Sequence, residues 1–181
     1  MAVRPSVKGT SLCIVTGASR GLGRALALGL SASLQPGSQL VVAARCGEAL
    51  RELRDGAAAA GSGVDVCPVQ ADLSGDAGLR EVVRAVQRQQ QQHGAPDRLL
   101  IINNAGELLN PDPTLHPTGP LDNSMHEQAR KETGDPELRK MFVDMHRQGQ
   151  LLTCQESARK LLEILAKDEF ESGAHIDYFD P

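Results

Sequence analysis

Apolar positions in the first hundred residues fall into two alternating kinds of run. Residues 11–16 (SLCIVT) form a short apolar, β-branched stretch ended by Gly17, which predicts a buried strand. Residues 21–34 (GLGRALALGLSASL) have helical texture, and Pro36-Gly37 supplies the stop. The pair then repeats, with a strand over 39–44 (QLVVAA) and a helix from Glu48 to about Ala60, closed by Gly61. Val64 to Val69 reads as a third, weaker strand. Residues 76–92 put Leu79, Val82, Val83 and Val86 on one helical face. Residues 98–102 (RLLII) are almost continuously apolar and predict a fourth strand. Strands apolar on both faces and alternating with helices predict a parallel sheet covered on both sides.

After Gly106 the texture changes. Four of the ten prolines, Pro111, Pro113, Pro117 and Pro120, fall in a stretch that can be neither helix nor central strand. The period then becomes helical. Asp135-Pro136 is a cap followed by proline at the first helical position, with Gly149 as the stop. Thr153 to Glu156 is a capping box, followed by Ala158, Leu161, Leu162 and Leu165 on one face. HIDYF (175–179) is a last candidate strand. The expectation is an α/β fold, a Rossmann-like doubly wound parallel sheet truncated in its second half. It is organised as one domain over 1–181: a cofactor half (1–106), a junction (107–118) and a C-terminal segment (119–181).

Composition narrows the function. The 181 residues suffice for one core, and the net charge of -4 argues against nucleic acid as a main partner. No apolar run approaches the roughly 20 residues needed to span a bilayer. The apolar stretch near the N-terminus is too short for a signal peptide, so a cytoplasmic protein is expected. The four cysteines, Cys13, Cys46, Cys67 and Cys154, have no C-x-x-C spacing, so no metal site is expected. His126-Glu127 begins like a metalloprotease H-E-x-x-H, but the fifth position is Arg130.

The candidate chemistry gathers at predicted strand ends. Between the first strand and first helix stand Gly17, Ala18, Ser19, Arg20, Gly21, Leu22 and Gly23. Glycines there permit a tight turn and close backbone approach to a pyrophosphate lying on the helix N-terminus. The second strand ends Ala43-Ala44-Arg45. An acid at that corner takes a ribose 2′-hydroxyl, whereas an arginine accommodates a 2′-phosphate. Arg45 and Arg20 with no acid beside them therefore favour NADP(H) over NAD. Asp72-Leu73, after the third strand, is either a turn and helix-cap pair or an adenine contact. Asn103-Asn104-Ala105-Gly106 follows the fourth strand at the carboxyl edge, either as a plain turn or as part of a ligand site.

TGASRGLG, then ADL, then NNAG, in this order at these strand ends, resemble the short-chain dehydrogenase/reductases. VVAARCGEALREL, LLIINNAG, GPLD with Met125, and KDEFESGAHIDYFD resemble its pterin-reducing members, over about 10–106 and 117–181. Those members use NADPH to reduce pterin side-chain carbonyls in tetrahydrobiopterin synthesis. The resemblance implies that residues 17–23 cradle the pyrophosphate. It sets Arg45 and Cys46 by the 2′-phosphate, Asp72 and Leu73 by the adenine, and Asn103 at the same edge. Leu121, Asp122 and Met125 match a loop over the nicotinamide half, although Asn123 and Ser124 depart from its usual residues. Gly119 matches a substrate-side glycine. Asp177 matches the carboxylate that anchors the pterin, whose paired N–H donors a carboxylate can accept.

The resemblance also implies a proton-donating tyrosine, a lysine four residues later and an orienting serine, between NNAG and GPLD. Residues 107–118 contain none of the three. The only tyrosine, Tyr178, is followed by Phe179, Asp180 and Pro181, so no Tyr-x-x-x-Lys lies within these 181 residues. No catalytic residue is therefore assigned; His116 is the only junction residue titrating near neutrality. Two strands and the helices of the family homodimer are expected to be missing with that segment. The apolar flank of the fourth strand is then expected to be exposed, and the C-terminal helices to lack a packing surface. The implied function is an NADPH-dependent pterin reductase. The alternatives are an NADP-binding variant without catalysis and a non-enzymatic interaction protein.

Overall fold

The computed structural model describes residues 9–106, 121–176 and 178. Four strands form one parallel sheet: β1 (Ser11–Thr16), β2 (Gln39–Ala44), β3 (Asp65–Gln70) and β4 (Arg98–Ile102), in the order β3-β2-β1-β4. Helices α1 (Gly21–Ser33), α2 (Gly47–Ala59) and α3 (Asp76–His93) connect them. The order turns at β1, so the ends of β1 and β4 flank the switch in strand order where open α/β sheets bind ligands. The predicted α/β parallel sheet is therefore present.

The sheet has a core on each face. One joins Val15, Leu40 and Val42 to Leu26, Ala27 and Leu30 of α1 and Leu50 and Leu53 of α2. The other joins Leu12, Ile14, Val41, Ala43 and Val69 to Ala85 of α3. β1 and β2 are buried almost throughout, as their apolar runs require. β3 begins one residue later than its sequence suggests and contains Pro68, paired with Val42. Proline is tolerated because β3 is an edge strand, with one backbone side free of ladder bonds.

β4 departs from the expectation that both sheet faces are covered. Leu99 and Ile101 are each 59% exposed. They lie in register with Leu12 and Ile14, hence on the α3 face, but α3 packs over β2 and β3. Leu100 and Ile102, on the opposite face, pack against the first core. The expected exposure of the β4 flank is thus present on one face.

The C-terminal part contains α4 (Ser124–Glu132), α5 (Pro136–Arg147) and α6 (Cys154–Lys167). Asn123 caps α4, Asp135 caps α5 with Pro136 at its start, and Thr153 with Glu156 forms the predicted capping box of α6. The expectation that these helices lack a packing surface is overturned for α6. Ala158 and Leu162 are buried in the first core, with Leu161 and Leu165 packed against it. Gly29 of α1 leaves the space that the Leu162 side chain fills. The candidate strand at 175–179 is absent at its described residues, His175, Ile176 and Tyr178.

Candidate functional site

β1 runs directly into the glycine turn. Gly17 and Gly21 adopt φ of +68° and +57°, left-handed values that favour glycine. Gly23 is required for a different reason: a Cβ there would overlap the Gly17 carbonyl oxygen and the Asn104 side chain. Arg20 at the α1 N-cap makes no side-chain capping bond. Among the described residues, the first amides of α1 therefore have no capping side chain, which is the condition for holding an anion.

The turn is locked to the end of β4. Thr16 Oγ1 accepts the backbone N–H groups of Asn104 and Ala105, both at 2.9 Å. Asn104 Nδ2 donates to the Thr16 carbonyl at 3.0 Å, and Asn103 Oδ1 lies 3.3 Å from the Thr16 hydroxyl. Ala18 is anchored to β2 through its N–H and the Ala43 carbonyl, 3.2 Å. The two sequence motifs are one structural unit.

A second hollow of about 460 Å³ is lined by Arg45, Gln70, Ala71 and Asp72. The sequence suggested a corner with no acid; the structure brings Asp72 to it. That carboxylate is already engaged, accepting Ser74 N–H at 3.1 Å and Ser74 Oγ–H at 2.9 Å. These bonds, with Arg45 adding a smaller attraction, hold the Asp72 carboxyl below its usual range. Arg45 and Cys46 are exposed, Cys46 at the N-cap of α2, and Leu73 is half-buried against the second core.

The start of the C-terminal part stands over the glycine turn. Leu121 bridges Leu152, and Asp122 N–H donates to the Leu152 carbonyl at 2.8 Å. A Cβ at Gly21 would lie 3.9 Å from Asn123 Cβ and 4.0 Å from Cys154 Sγ. A groove of about 820 Å³ runs from Arg20 and Gly21 along α1 and α6 to Leu162. Met125 is not in a loop, as the sequence suggested, but in the first turn of α4, because Asn123 accepts His126 N–H and starts the helix two residues earlier. Gly119, Asp177 and the junction 107–118, with His116, lie outside the described residues.

Sequence reasoning gave no site role to Asn123, Cys154 or Gln70. Thr16 opens the TGASRGLG motif, but its part in tying the turn to β4 was not read from it. Among the described residues, no group of three or more His, Cys, Asp or Glu is placed to hold a metal ion. No helix among them is long and apolar enough to cross a membrane.

Residues 11–163 match the family model described as short chain dehydrogenase. Sepiapterin reductase from Meriones unguiculatus is 34% identical over 256 aligned positions, covering 95% of this chain and 97% of that protein. The Bos taurus sepiapterin reductase is 32% identical, covering 95% of this chain and 96% of that protein. A 256-position alignment against 181 residues leaves at least 75 positions at which this chain has a gap. The solved L-sorbose reductase from Gluconobacter frateurii, complexed with NADPH and L-sorbose, is similar at TM-score 0.48 and 22% identity, over 86% of this chain. The chain spans 51% of that structure's length.

Proposed function

The chain belongs to the short-chain dehydrogenase family, and on that premise we propose that it is an NADPH-dependent oxidoreductase of the sepiapterin reductase type, acting on pterin side-chain carbonyls. The observation that carries this reading is the glycine turn locked by Thr16 to Asn104 at the end of β4. The residues present fit a dinucleotide. Gly17 and Gly23 let the turn close onto Asn104 and Ala105, where any Cβ would meet protein atoms, and the first turn of α1 has no side-chain cap among the described residues. Residues 17–23 would hold the pyrophosphate, and Arg45 with Cys46 the 2′-phosphate. Asp72 and Leu73 would take the adenine side. Asn103, Leu121, Asp122 and Met125 would take the nicotinamide side. When bound, NADPH supplies a hydride.

The other assignments rest on the relatives' name and the sequence motifs. Gly119 and Asp177 would meet the pterin, with Asp177 accepting its paired N–H donors. The chain would work as one domain in the cytoplasm, a setting supported by its four free thiols. Homodimerisation, as in the family, is a further proposal, for which the expected dimer helices have no counterpart in the sequence.

A second reading is favoured by one observation. The sequence has a single tyrosine and no Tyr-x-x-x-Lys, so the family's tuned proton donor has no counterpart here. In that reading the chain binds NADP(H) without turnover. Calorimetric titration with NADP⁺ and NADPH oxidation in the presence of sepiapterin decide between the two. Binding with turnover supports the reductase, and binding without turnover supports the second reading. Absence of binding refutes both.

A further inference from the structure

We propose that the α4–α5 pair is a proton-operated latch on the glycine turn: protonation of His126 unfastens the pair, frees Asn123 from its place over Gly21, and weakens nucleotide binding in acid. The nucleotide part rests on the function proposed above.

His126 is only 8% exposed, although it belongs to a short, mostly polar helix. Its ring meets Phe142 of α5 edge to face, with centroids 5.3 Å apart and planes at 78°. Arg130 Nη1 lies 2.9 Å from His126 Nδ1. A guanidinium can only donate, so Nδ1 accepts and the neutral ring carries its proton on Nε2. Nε2 is buried and has no hydrogen-bond partner among the described residues. The arrangement therefore tolerates only the neutral imidazole. A second proton must go to Nδ1, where it faces the Arg130 guanidinium, and the resulting cation would be buried against Phe142.

The charged and titratable groups acting on the ring are Asp122 and Arg130 from its own segment and His146 from α5. Burial, then Arg130, push the imidazole below its ordinary value; Asp122 opposes them, and His146 adds to them. The exposed Asp122 carboxylate is 3.9 Å from Arg130, so it attracts the guanidinium that faces His126. Because the folded value is depressed, the unfolded state binds more protons as pH falls. The stabilisation is present above the unfolded value of about 6.5 and is lost as pH falls through the folded value.

The latch reaches the site through one cap. Asn123 Oδ1 accepts His126 N–H at 2.9 Å, so the residue that starts α4 is also the residue standing over Gly21. Asp122 stays tied to the Leu152 carbonyl, so opening α4–α5 removes the α4 side of the support that holds Asn123 there.

The test is hydrogen exchange on the full chain without nucleotide at about pH 7.5 and about pH 5.5, on either side of the ordinary imidazole value. In the wild type, protection of α4 and α5 relative to β1 and β2 is expected to fall measurably in acid, because the open form takes up the proton that the buried ring refuses. His126→Phe keeps an aromatic ring against Phe142 and is expected to abolish the fall. Arg130→Gln removes an opposing cation and is expected to shrink it, which preserves the test should His126→Phe fold poorly. NADP⁺ affinity is expected to fall about threefold or more with protection in the wild type only. Equal acid loss in the wild type and both variants overturns the latch, as does unchanged wild-type protection. If NADP⁺ fails to bind at either pH, the nucleotide reading fails while the exchange data still decide the latch.

Discussion

Thr16 and Asn104 exchange two hydrogen bonds: the Thr16 hydroxyl accepts the Asn104 backbone N–H at 2.9 Å, and the Thr16 carbonyl accepts the Asn104 side-chain amide at 3.0 Å. Residues 88 positions apart thereby fix the ends of β1 and β4 against each other. Thr16→Val keeps the shape and removes the acceptor for both Asn104 and Ala105. The expected cost is about 1–3 kcal/mol, since partly buried amides lose their partner. Thr16→Ser keeps the hydroxyl and is expected to lose much less. Urea denaturation measures the stability and NADP⁺ titration the site. Equal stability of the valine and serine variants would remove the clamp from the account.

Gly23→Ala tests the cradle itself. The new Cβ meets the Gly17 carbonyl and the Asn104 amide, so the turn must open. NADP⁺ binding is expected to be lost and stability to fall. Gly56 is the contrast: it sits inside α2 with nothing within 4 Å of an added Cβ. Gly56→Ala is expected to stabilise by about 0.5–1 kcal/mol through helix propensity alone. Thermal melts of the two variants should move in opposite directions.

The elements of residues 9–106 were legible because the runs of β1, β2, α1 and α2 are buried where their periods place them, although Leu79 and Val83 of α3 are exposed. β1 and β2 lie between helices on both faces, and RLLII marks β4 to the residue. The open face of β4 was not legible in that run, because an apolar stretch does not reveal whether a covering layer exists. Likewise the capping box of α6 could be read, but its docking could not. Gly29 becomes informative only once Leu162 is seen opposite it. In the site, the glycine turn stood out by composition. Thr16 and Asn123 act through hydrogen bonds to distant or newly started elements and carry no periodic signal. Met125 was misplaced because the Asn123 cap converts the matching loop into the start of α4.

Asp72 makes the pH behaviour of the Arg45 corner testable. Its carboxyl is lowered first by the Ser74 backbone N–H, next by the Ser74 hydroxyl, and last by Arg45. Ser74→Ala removes only the second of these. Asp72 is then expected to titrate at higher pH than in the wild type, but still below its ordinary value. A lowered carboxylate contributes stability above its unfolded value and loses it as pH falls through the folded one. The variant's loss should therefore be smaller and be complete at higher pH than in the wild type. Carboxyl ¹³C NMR follows Asp72 directly, and an unshifted midpoint would contradict the hydrogen-bond assignment.

The docking of α6 on α1 gives the sharpest stability test, because its two partners fill one space. Leu162 is buried and occupies the volume above Gly29 that a Cβ would take. Leu162→Ala is expected to cost about 2–4 kcal/mol, combining lost transfer energy with a residual cavity. Gly29→Ala alone forces the leucine aside and is expected to destabilise through overpacking, despite the better helix propensity of alanine. With Leu162 already truncated, the added methyl enters the vacated space and the propensity gain survives. The double variant should therefore be more stable than Leu162→Ala alone, with a coupling of about 1 kcal/mol or more. Denaturant midpoints for the four proteins of the cycle measure that coupling. Strict additivity would mean that α6 does not rest on α1 at this point, and that the first core closes without it.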